Sequence, residues 1–317
     1  MANPAEIRLN VPLRPYTTLR AGGPAERFAI ADDVEQLASL AEQAQLSQER
    51  ATVLGSGSNV LPSDAGVPGL TILNLARRIR IARTGEVVAD TGCGFQELFL
   101  KTAQCGLHGL EFAVGIPGTL GGALVSNAGA YRSNISEFLT SLEIVHEGKR
   151  QWVSPDWMQF SYRDSVLRRP NPPAAVVLRV SMRLPVGEPM RIYDEAREYQ
   201  RQRIGKQPPS PSAGSFFKNV NDRELAESLE TLPGPLKMAG VVPAGYLIEA
   251  SGLKGFRMGG AMLGRRHANF VLNVGGASAT EIRRLAAFTR ETVYRRFQVS
   301  LEEEVLYLGD WSGYSQQ

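Results

Sequence analysis

The chain has 317 residues, of which 43% are hydrophobic and 21% charged, and its formal net charge is +3. This composition is typical of a globular protein of two or three domains and excludes a mostly disordered chain. Two cysteines, Cys93 and Cys105, and three histidines are too few for a disulfide framework or a metal site rich in Cys or His. We therefore expect no metal, and both thiols reduced in the core.

Charge and hydropathy also limit the partners of the chain. Basic and acidic residues are spread over both halves, so we expect no nucleic-acid partner. The weakly polar stretch 109–131 is broken by Pro117 and several glycines, so it cannot form a membrane-spanning helix. The first residues lack the pattern of a signal peptide, and we expect a cytoplasmic protein without a membrane partner. Nothing in the pattern indicates the oligomeric state.

Periodicity and capping residues predict the elements in chain order. In the first part they are a helix after Asp33, strands at 51–54 and 70–75, a hairpin of 79–83 and 86–90, a helix at 95–105 and a strand at 174–184. Later come helices at 191–204, from Asn221, and after Ser278, where Glu281 completes a capping box. Composition changes near residue 186 and more weakly near residue 70. These changes predict three domains: 1–70, 71–185 and 186–317.

A first glycine-rich segment follows the predicted strand at 51–54. It reads Gly55-Ser56-Gly57-Ser58-Asn59, and its successive N–H groups and two hydroxyls suit a pyrophosphate. Val60 stands where a dinucleotide fingerprint has its third glycine, and no acidic residue follows about 20 positions on. A nicotinamide-binding βαβ unit is therefore disfavoured.

A second glycine-rich segment is the stronger signal. It reads Gly115-Ile116-Pro117-Gly118-Thr119-Leu120-Gly121-Gly122 and continues to Asn127-Ala128-Gly129-Ala130-Tyr131. Pro117 fixes one φ angle, and the glycines that follow expose the backbone to a ligand. Two such segments, each suited to phosphate, predict one extended dinucleotide such as FAD.

Three polar groups outside these segments are candidates for chemistry. Ser215 and Lys218 have the spacing of a serine acyl-enzyme, but the partner motifs of that class are missing, and the hydroxyl also fits a simple turn. Arg163 follows an aromatic cluster and fits either a ligand or an ion pair with Asp164. Glu304 lies in a run of three glutamates, where strand geometry places every second residue on one face.

Ten motifs occur in a fixed order along the chain. They are Thr18-Leu-Arg20-Ala-Gly22-Gly23, Gly55-Ser-Gly-Ser-Asn59, Gly115-Ile-Pro-Gly-Thr-Leu-Gly-Gly122, Asn127-Ala-Gly-Ala-Tyr131, Tyr162-Arg163-Asp-Ser165, Ser212-Ala-Gly-Ser215-Phe-Phe-Lys-Asn219, Gly245-Tyr-Leu-Ile-Glu249, Gly252-Leu-Lys-Gly255, His267-Ala-Asn-Phe270 and Glu302-Glu-Glu304-Val305. The series, from about residue 10 to 309, resembles the UDP-N-acetylenolpyruvoylglucosamine reductase (MurB) family. About 40 residues separate Arg163 from Lys206, which resembles the second, shorter-loop type of that family.

The resemblance implies a fold and a reaction. The fold would be α+β, with a two-part FAD-binding domain of the vanillyl-alcohol-oxidase (PCMH) type and a C-terminal α+β substrate-binding domain. The enzyme would use FAD as cofactor and NADPH as co-substrate. It would reduce the enolpyruvyl ether of a UDP-sugar to UDP-N-acetylmuramate, in peptidoglycan precursor synthesis.

The resemblance also implies roles for single residues. Arg163 would stabilise an enolate, Ser215 would donate the proton, and Glu304 would assist while protonated. Substrate contacts would come from Tyr162, Lys206, Asn219 and His267. Two alternatives remain: an FAD-dependent oxidase of the same fold, and a non-catalytic flavin- or nucleotide-binding regulator. The second predicts that the three catalytic residues are missing, whereas all three are present.

Overall fold

The computed structural model describes residues 5–205 and 208–314, which form two compact units. Unit 1 comprises Met1–Val11, Ala25–Gly57 and Val67–Gly205, and unit 2 comprises Pro12–Pro24, Ser58–Gly66 and Lys206–Gln317, each within the described residues. Both units are thus built from separate stretches of sequence. One stretch of unit 1 ends at Gly57 and a stretch of unit 2 begins at Ser58, so the first glycine-rich segment is divided between the two units.

The described residues form nineteen strands and eight α-helices. The strands are β1 (Arg8–Pro12), β2 (Pro24–Ala31), β3 (Ala51–Leu54), β4 (Val60–Pro62), β5 (Val67–Asn74), β6 (Ile79–Ile81), β7 (Glu86–Asp90), β8 (Gly129–Ala130), β9 (Ser133–Asn134), β10 (Leu139–His146), β11 (Lys149–Val153), β12 (Ala175–Arg183), β13 (Ser212–Ser215), β14 (Val220–Asn221), β15 (Val241–Val242), β16 (Arg257–Met258), β17 (Ala261–Leu263), β18 (Phe270–Asn273) and β19 (Leu306–Leu308). The helices are α1 (Val34–Leu46), α2 (Phe95–Gln104), α3 (Leu120–Val125), α4 (Pro189–Ile204), α5 (Arg223–Ser228), α6 (Gly234–Ala239), α7 (Ala244–Ala250) and α8 (Ala279–Phe297).

Helix α1 joins the two main sheets of unit 1. Asp33 caps it by accepting hydrogen bonds from the N–H groups of Glu35 and Gln36. Its buried face packs with strands of a four-stranded sheet, ordered β1-β2-β5-β3, and of a five-stranded antiparallel sheet, ordered β11-β10-β12-β7-β6. The apolar stripe on α1 is therefore covered on two sides, which stabilises a helix whose polar face stays in water.

An ion-pair network fastens α1 to the five-stranded sheet. Arg150 contacts Glu35 of α1 and Glu143 of β10, both at 2.6 Å, and Arg179 contacts Glu143 at 3.3 Å and Asp90 at 3.0 Å. Hydrogen bonding from Arg150 lowers the pKa of the Glu35 carboxyl. The buried carboxylates of Glu143 and Asp90 are thus paired rather than left bare, as burial of charge requires.

A second core of unit 1 supports the second glycine-rich segment. It joins β7, β10 and β12 with α2 and α3, and it includes Ile192 and Ala196 of α4. Helix α4 therefore belongs to unit 1, although the composition of the sequence changes near residue 186, before this helix begins. The division into domains at residues 70 and 185 stays a prediction.

Unit 2 is built around α8. Its four-stranded antiparallel sheet has the order β13-β18-β17-β16, and β4 pairs in parallel with β19. The predicted capping box at Ser278 and Glu281 is present, and Ile282, Leu285 and Val293 of α8 lie in the core. Across the described part of the chain, no helix has the length and apolar character that a membrane span requires.

The structure bears on the two cysteines separately. Cys93 is buried, and burial raises the pKa of its thiol to about 12, so the expectation of a reduced core thiol is confirmed there. Cys105 is also a free thiol but is exposed, so the expected position in the core is wrong for it. Helix α2 ends at Gln104, and Cys105 is its C-cap residue, past the buried face formed by Leu98, Phe99 and Thr102.

Candidate active site

The two glycine-rich segments meet inside unit 1. A Cβ atom built on Gly55 would lie only 2.3 Å from the Thr119 Oγ1 atom, so the segments touch where Gly55 faces Thr119. Gly57, Gly115 and Gly118 have φ angles of 60°, 71° and 123°, which side-chain-bearing residues rarely adopt. The close contact and the left-handed backbone explain why glycine occupies these positions.

Some N–H groups of these segments are used within the protein and others are not. The N–H groups of Leu120 and Gly121 bond the carbonyls of Cys93 and Thr91, at 2.9 and 2.8 Å. Among the described residues, the N–H groups of Ser56, Gly118 and Thr119 make no hydrogen bond. Donors without a protein acceptor, beside glycines that leave the backbone uncovered, suit an anionic phosphate. The residues of both segments thus fit the pyrophosphate of FAD.

Gly55→Ala is expected to raise the FAD dissociation constant about 10- to 100-fold, as overpacking typically costs about 1–3 kcal/mol. The added methyl group would displace the Thr119 hydroxyl, which accepts the Gly122 N–H at the start of α3. Titration of the apoprotein with FAD measures this effect. Gly234→Ala is the matched control, since a Cβ there meets no atom within 4 Å. Equal FAD affinity in the two variants would contradict the assignment.

Tyr162 and Arg163 form the tip of a tight turn in unit 1. Ser161 and Asp164 exchange backbone hydrogen bonds of 3.1 and 3.2 Å across this turn. The Arg163 guanidinium lies 5.4 Å from the centre of the Tyr162 ring and donates to the Gly129 carbonyl. Asp164 also lies 3.8 Å from the guanidinium of Arg168.

Ser215 and Glu304 lie on two backbone segments of unit 2 that pair with each other. The Glu304 N–H bonds the Phe216 carbonyl and the Lys218 N–H bonds the Glu302 carbonyl, both at 2.8 Å. The structure therefore brings the predicted proton donor and the predicted glutamate onto paired backbone segments, although they are 89 positions apart. Among the described residues, the Ser215 hydroxyl makes no hydrogen bond.

The three consecutive glutamates have different surroundings. Glu302 pairs with Lys218 at 3.1 Å, and Glu303 lies 3.9 Å from the guanidinium of Arg290. Lys218 is thus neutralised by a neighbour, and this ion pair leaves it less able to assist Ser215 as a bare cation. Glu304 is distinguished from the other two by its backbone bond beside Ser215.

Asn59 holds the backbone of Glu304. Its side-chain Nδ2 donates to the Glu304 carbonyl at 3.0 Å, and its own carbonyl accepts the Leu306 N–H at 3.0 Å. The parallel pairing of β4 with β19 creates this clamp, which holds the backbone on both sides of Val305. A residue predicted to contact the cofactor therefore also supports the predicted catalytic glutamate.

The predicted substrate-binding residues fall in different places. Asn219 accepts the Ala244 N–H at 3.3 Å, and His267 lies against Gly245, whose added Cβ would be 3.1 Å from the His267 ring. Both therefore border the first residues of α7. Tyr162 lies at the turn described above, with 49% of its surface exposed. Lys206 is outside the described residues.

Sequence reasoning missed several residues that hold these segments. Gln96 of α2 accepts the Gly115 N–H at 3.0 Å, and Arg203 of α4 lies 5.6 Å from the Tyr131 ring and donates to the Phe112 carbonyl. Asn269, almost fully buried, bonds both the N–H and the carbonyl of Phe217. Only Asn269 had a signal, because it lies within the motif that begins at His267.

Comparison with known proteins identifies both parts of the chain. Residues 206–308 match the family model for the C-terminal domain of UDP-N-acetylenolpyruvoylglucosamine reductase, and residues 25–153 match an FAD binding domain. The predicted fold class, with an FAD-binding domain and a separate C-terminal domain, and the predicted FAD cofactor are therefore confirmed.

Similar proteins cover almost the whole chain. The UDP-N-acetylenolpyruvoylglucosamine reductase of Synechococcus sp. (strain JA-3-3Ab) is 38% identical over 96% of this chain and 92% of its own length. That of Rubrobacter xylanophilus is 39% identical over 96% and 95%. The crystal structure of the reductase (MurB) from Thermus caldophilus covers 96% of this chain and 98% of its own, with 32% identity and a TM-score of 0.75. The chain therefore belongs to the UDP-N-acetylenolpyruvoylglucosamine reductase family.

Proposed function

We propose that this protein catalyses the NADPH-dependent, FAD-mediated reduction of UDP-N-acetyl-3-O-(1-carboxyvinyl)-glucosamine to UDP-N-acetylmuramate, a step of peptidoglycan precursor synthesis. The observation that carries the proposal is the pairing of the Ser215 and Glu304 segments in a chain that matches the family over nearly its full length. A non-catalytic regulator would have no use for a hydroxyl and a carboxyl held on two paired segments.

The two glycine-rich segments would hold the cofactor. We assign FAD contacts to Gly55, Ser56, Gly57, Ser58 and Asn59 of the first, and to Gly115, Ile116, Pro117, Gly118, Thr119, Gly121, Gly122, Asn127 and Gly129 in and after the second. When bound, FAD supplies hydride transfer from NADPH to the substrate. The N–H groups of Ser56, Gly118 and Thr119 are suited to its pyrophosphate.

Arg163 would act on the carboxylate of the enolpyruvyl group. Addition of hydride to the vinyl carbon leaves negative charge on the neighbouring carbon, and this charge spreads into the carboxylate. A planar guanidinium presents two parallel donors to such a group and stabilises the charge as it develops. The ring of Tyr162, 5.4 Å from the guanidinium, would help to orient it.

Ser215 and Glu304 would complete the reaction. The carbon that carries the developing charge needs a proton, and the Ser215 hydroxyl has no competing acceptor among the described residues. A glutamate beside an enolate repels it when ionised and donates a hydrogen bond to it when protonated. We therefore assign Glu304 as a protonated group during the reaction and Ser215 as the proton donor.

The UDP part of the substrate would be bound by other groups of the chain. Asn219 and His267 border the start of α7, and their polar groups suit a nucleotide or its diphosphate. We propose the same role for the cation of Lys206 from its position in the sequence. We also propose a cytoplasmic location, since NADPH and UDP-sugars are made there, and retain 1–70, 71–185 and 186–317 as domains.

Flavin absorbance tests the proposed function. The purified protein is expected to bind FAD and absorb near about 450 nm. Under anaerobic conditions NADPH should bleach this band, and the enolpyruvyl UDP-sugar should restore it. An FAD oxidase of the same fold would instead regain its absorbance with O₂ and not with the UDP-sugar. That outcome would contradict the proposal.

A further inference from the structure

The backbone of Arg163 is held in an unfavourable conformation. Arg163 has a φ angle of 54°, in the left-handed region that residues other than glycine adopt at a cost of about 1–2 kcal/mol. It lies at the tip of the two-residue turn closed by Ser161 and Asp164. Such a conformation persists only where the surrounding structure over-determines it. The groups that do so are therefore of interest for the proposed role of Arg163.

Two buried polar side chains hold this turn, one on each side of its tip. Asn127, 7% exposed, donates its Nδ2 to the Ser161 carbonyl at 3.0 Å, and its Oδ1 accepts the Ser136 N–H at 3.4 Å. Ser165, 0% exposed, donates its hydroxyl to the Val125 carbonyl at 2.7 Å. Both bonds connect the turn to the end of α3 and the residues after it.

The guanidinium is held from the same loop. Arg163 donates to the Gly129 carbonyl, two residues after Asn127. Gly129 is itself held, because it pairs with Asn134 where β8 meets β9. No side chain would fit there, since an added Cβ would lie 2.4 Å from the Ser133 carbonyl oxygen. Asn127 itself has a φ angle of 41°, so the loop and the turn are both strained and are tied together at their strained residues.

We propose that Asn127 is a positioning residue for Arg163: its amide fixes the Ser161 carbonyl and thereby aims the guanidinium at the substrate carboxylate. This inference rests on the proposed function, in which Arg163 meets that carboxylate. It gives Asn127 a role in the step driven by substrate, in addition to the cofactor contact that the sequence predicts. Ser165 supports the other side of the same turn.

Asn127→Ala and Asn127→Asp test this role in the holoenzyme. Aspartate keeps the size and the acceptor of asparagine but lacks the N–H that bonds Ser161. Both variants are expected to slow the restoration of flavin absorbance by the enolpyruvyl UDP-sugar by up to about 10²-fold, as misplacement by about 1 Å does. With FAD present at saturating concentration, the rate of bleaching by NADPH should stay within about twofold of wild type. Asn127→Asp keeps the test valid should Asn127→Ala fail to fold.

A double-mutant cycle shows whether Asn127 acts through Arg163. In an Arg163→Ala background, Asn127→Ala should cause no further slowing, because the group that it positions is gone. Asn273→Ala is the matched control. Asn273 is 6% exposed, donates its amide to the carbonyls of Leu19 and Arg20, and accepts one N–H, that of Ala277. It should lower the melting temperature similarly and leave restoration of absorbance within about twofold.

Three results would overturn the inference. The first is that Asn127→Ala and Arg163→Ala slow restoration of the absorbance additively in the double mutant. The second is weakened FAD binding together with equal slowing of bleaching and restoration. The third is that neither Asn127 variant slows restoration. Failure of the proposed function has a different signature, since Arg163→Ala alone would then leave the restoration rate at the wild-type value.

Discussion

Ser215→Ala is expected to separate the two halves of the catalytic cycle. Bleaching of the flavin absorbance by NADPH should proceed at the wild-type rate, because no proton is yet needed on the substrate. Restoration of the absorbance by the enolpyruvyl UDP-sugar should slow by about 10²–10⁴-fold, the usual effect of losing a positioned acid. Anaerobic stopped-flow absorbance measures both steps in one protein sample.

A control for this variant lies on the same strand. Ser212→Ala removes another hydroxyl of β13, at a position that pairs with Leu272, and should leave both rates unchanged. If Ser215→Ala slowed bleaching and restoration equally, the serine would position the cofactor or hold the strand. If it slowed neither, Ser215 would be the turn hydroxyl that the sequence also allows.

Arg163→Ala is expected to slow restoration of the absorbance by about 10²–10³-fold, as loss of a group that stabilises developing charge does. The KM for the UDP-sugar should rise, since the ground-state carboxylate loses the same partner. Arg163→Lys should recover only part of the rate, because an ammonium lacks the planar pair of donors. Single-turnover rates and steady-state KM values distinguish these effects.

Arg169→Ala is the matched control for Arg163. Arg169 lies in the same loop but is exposed, and its guanidinium bonds the Gln159 side chain. Its removal should change neither rate by more than about twofold, since isolated surface charges contribute little. An equal loss in the Arg169 and Arg163 variants would indicate a general electrostatic effect and contradict the specific role of Arg163.

The local elements were predictable because their signals are local. Asp33 caps α1, and Ser278 with Glu281 opens α8, as their side chains predict. The hairpin of β6 and β7 turns at the predicted Thr84-Gly85. The helix expected from Asn221 begins at Arg223 instead, with Asp222 as its cap, because the Asp222 carboxylate reaches the Leu225 N–H.

The assembly of the units was not predictable from such signals. Residues 12–24 and 58–66 belong to unit 2, although they lie between stretches of unit 1 in the sequence. The parallel pairing of Leu306 with Val60 secures one of them. A pairing between segments so far apart leaves no periodicity or capping pattern in either strand, so only the folded chain reveals it.

The residue types of the candidate site were predictable from the sequence, whereas the side chains that hold those residues in place were not. The motifs indicated Arg163, Ser215 and Glu304 through resemblance to a family. The side chains that hold them, such as Asn127 at the turn and Asn59 beside Glu304, act through bonds to backbone atoms. Such bonds depend on where the chain passes in space, and a single sequence records only that a polar residue is present.

Analysis of the product tests the central claim most directly. The purified holoprotein is incubated with NADPH and the enolpyruvyl UDP-sugar, and the mixture is analysed by mass spectrometry while NADPH consumption is followed. We predict one NADPH oxidised for each substrate molecule, and a product that is heavier than the substrate by two hydrogens and identical to UDP-N-acetylmuramate. Consumption of NADPH that requires O₂ and leaves the UDP-sugar unchanged would contradict the account.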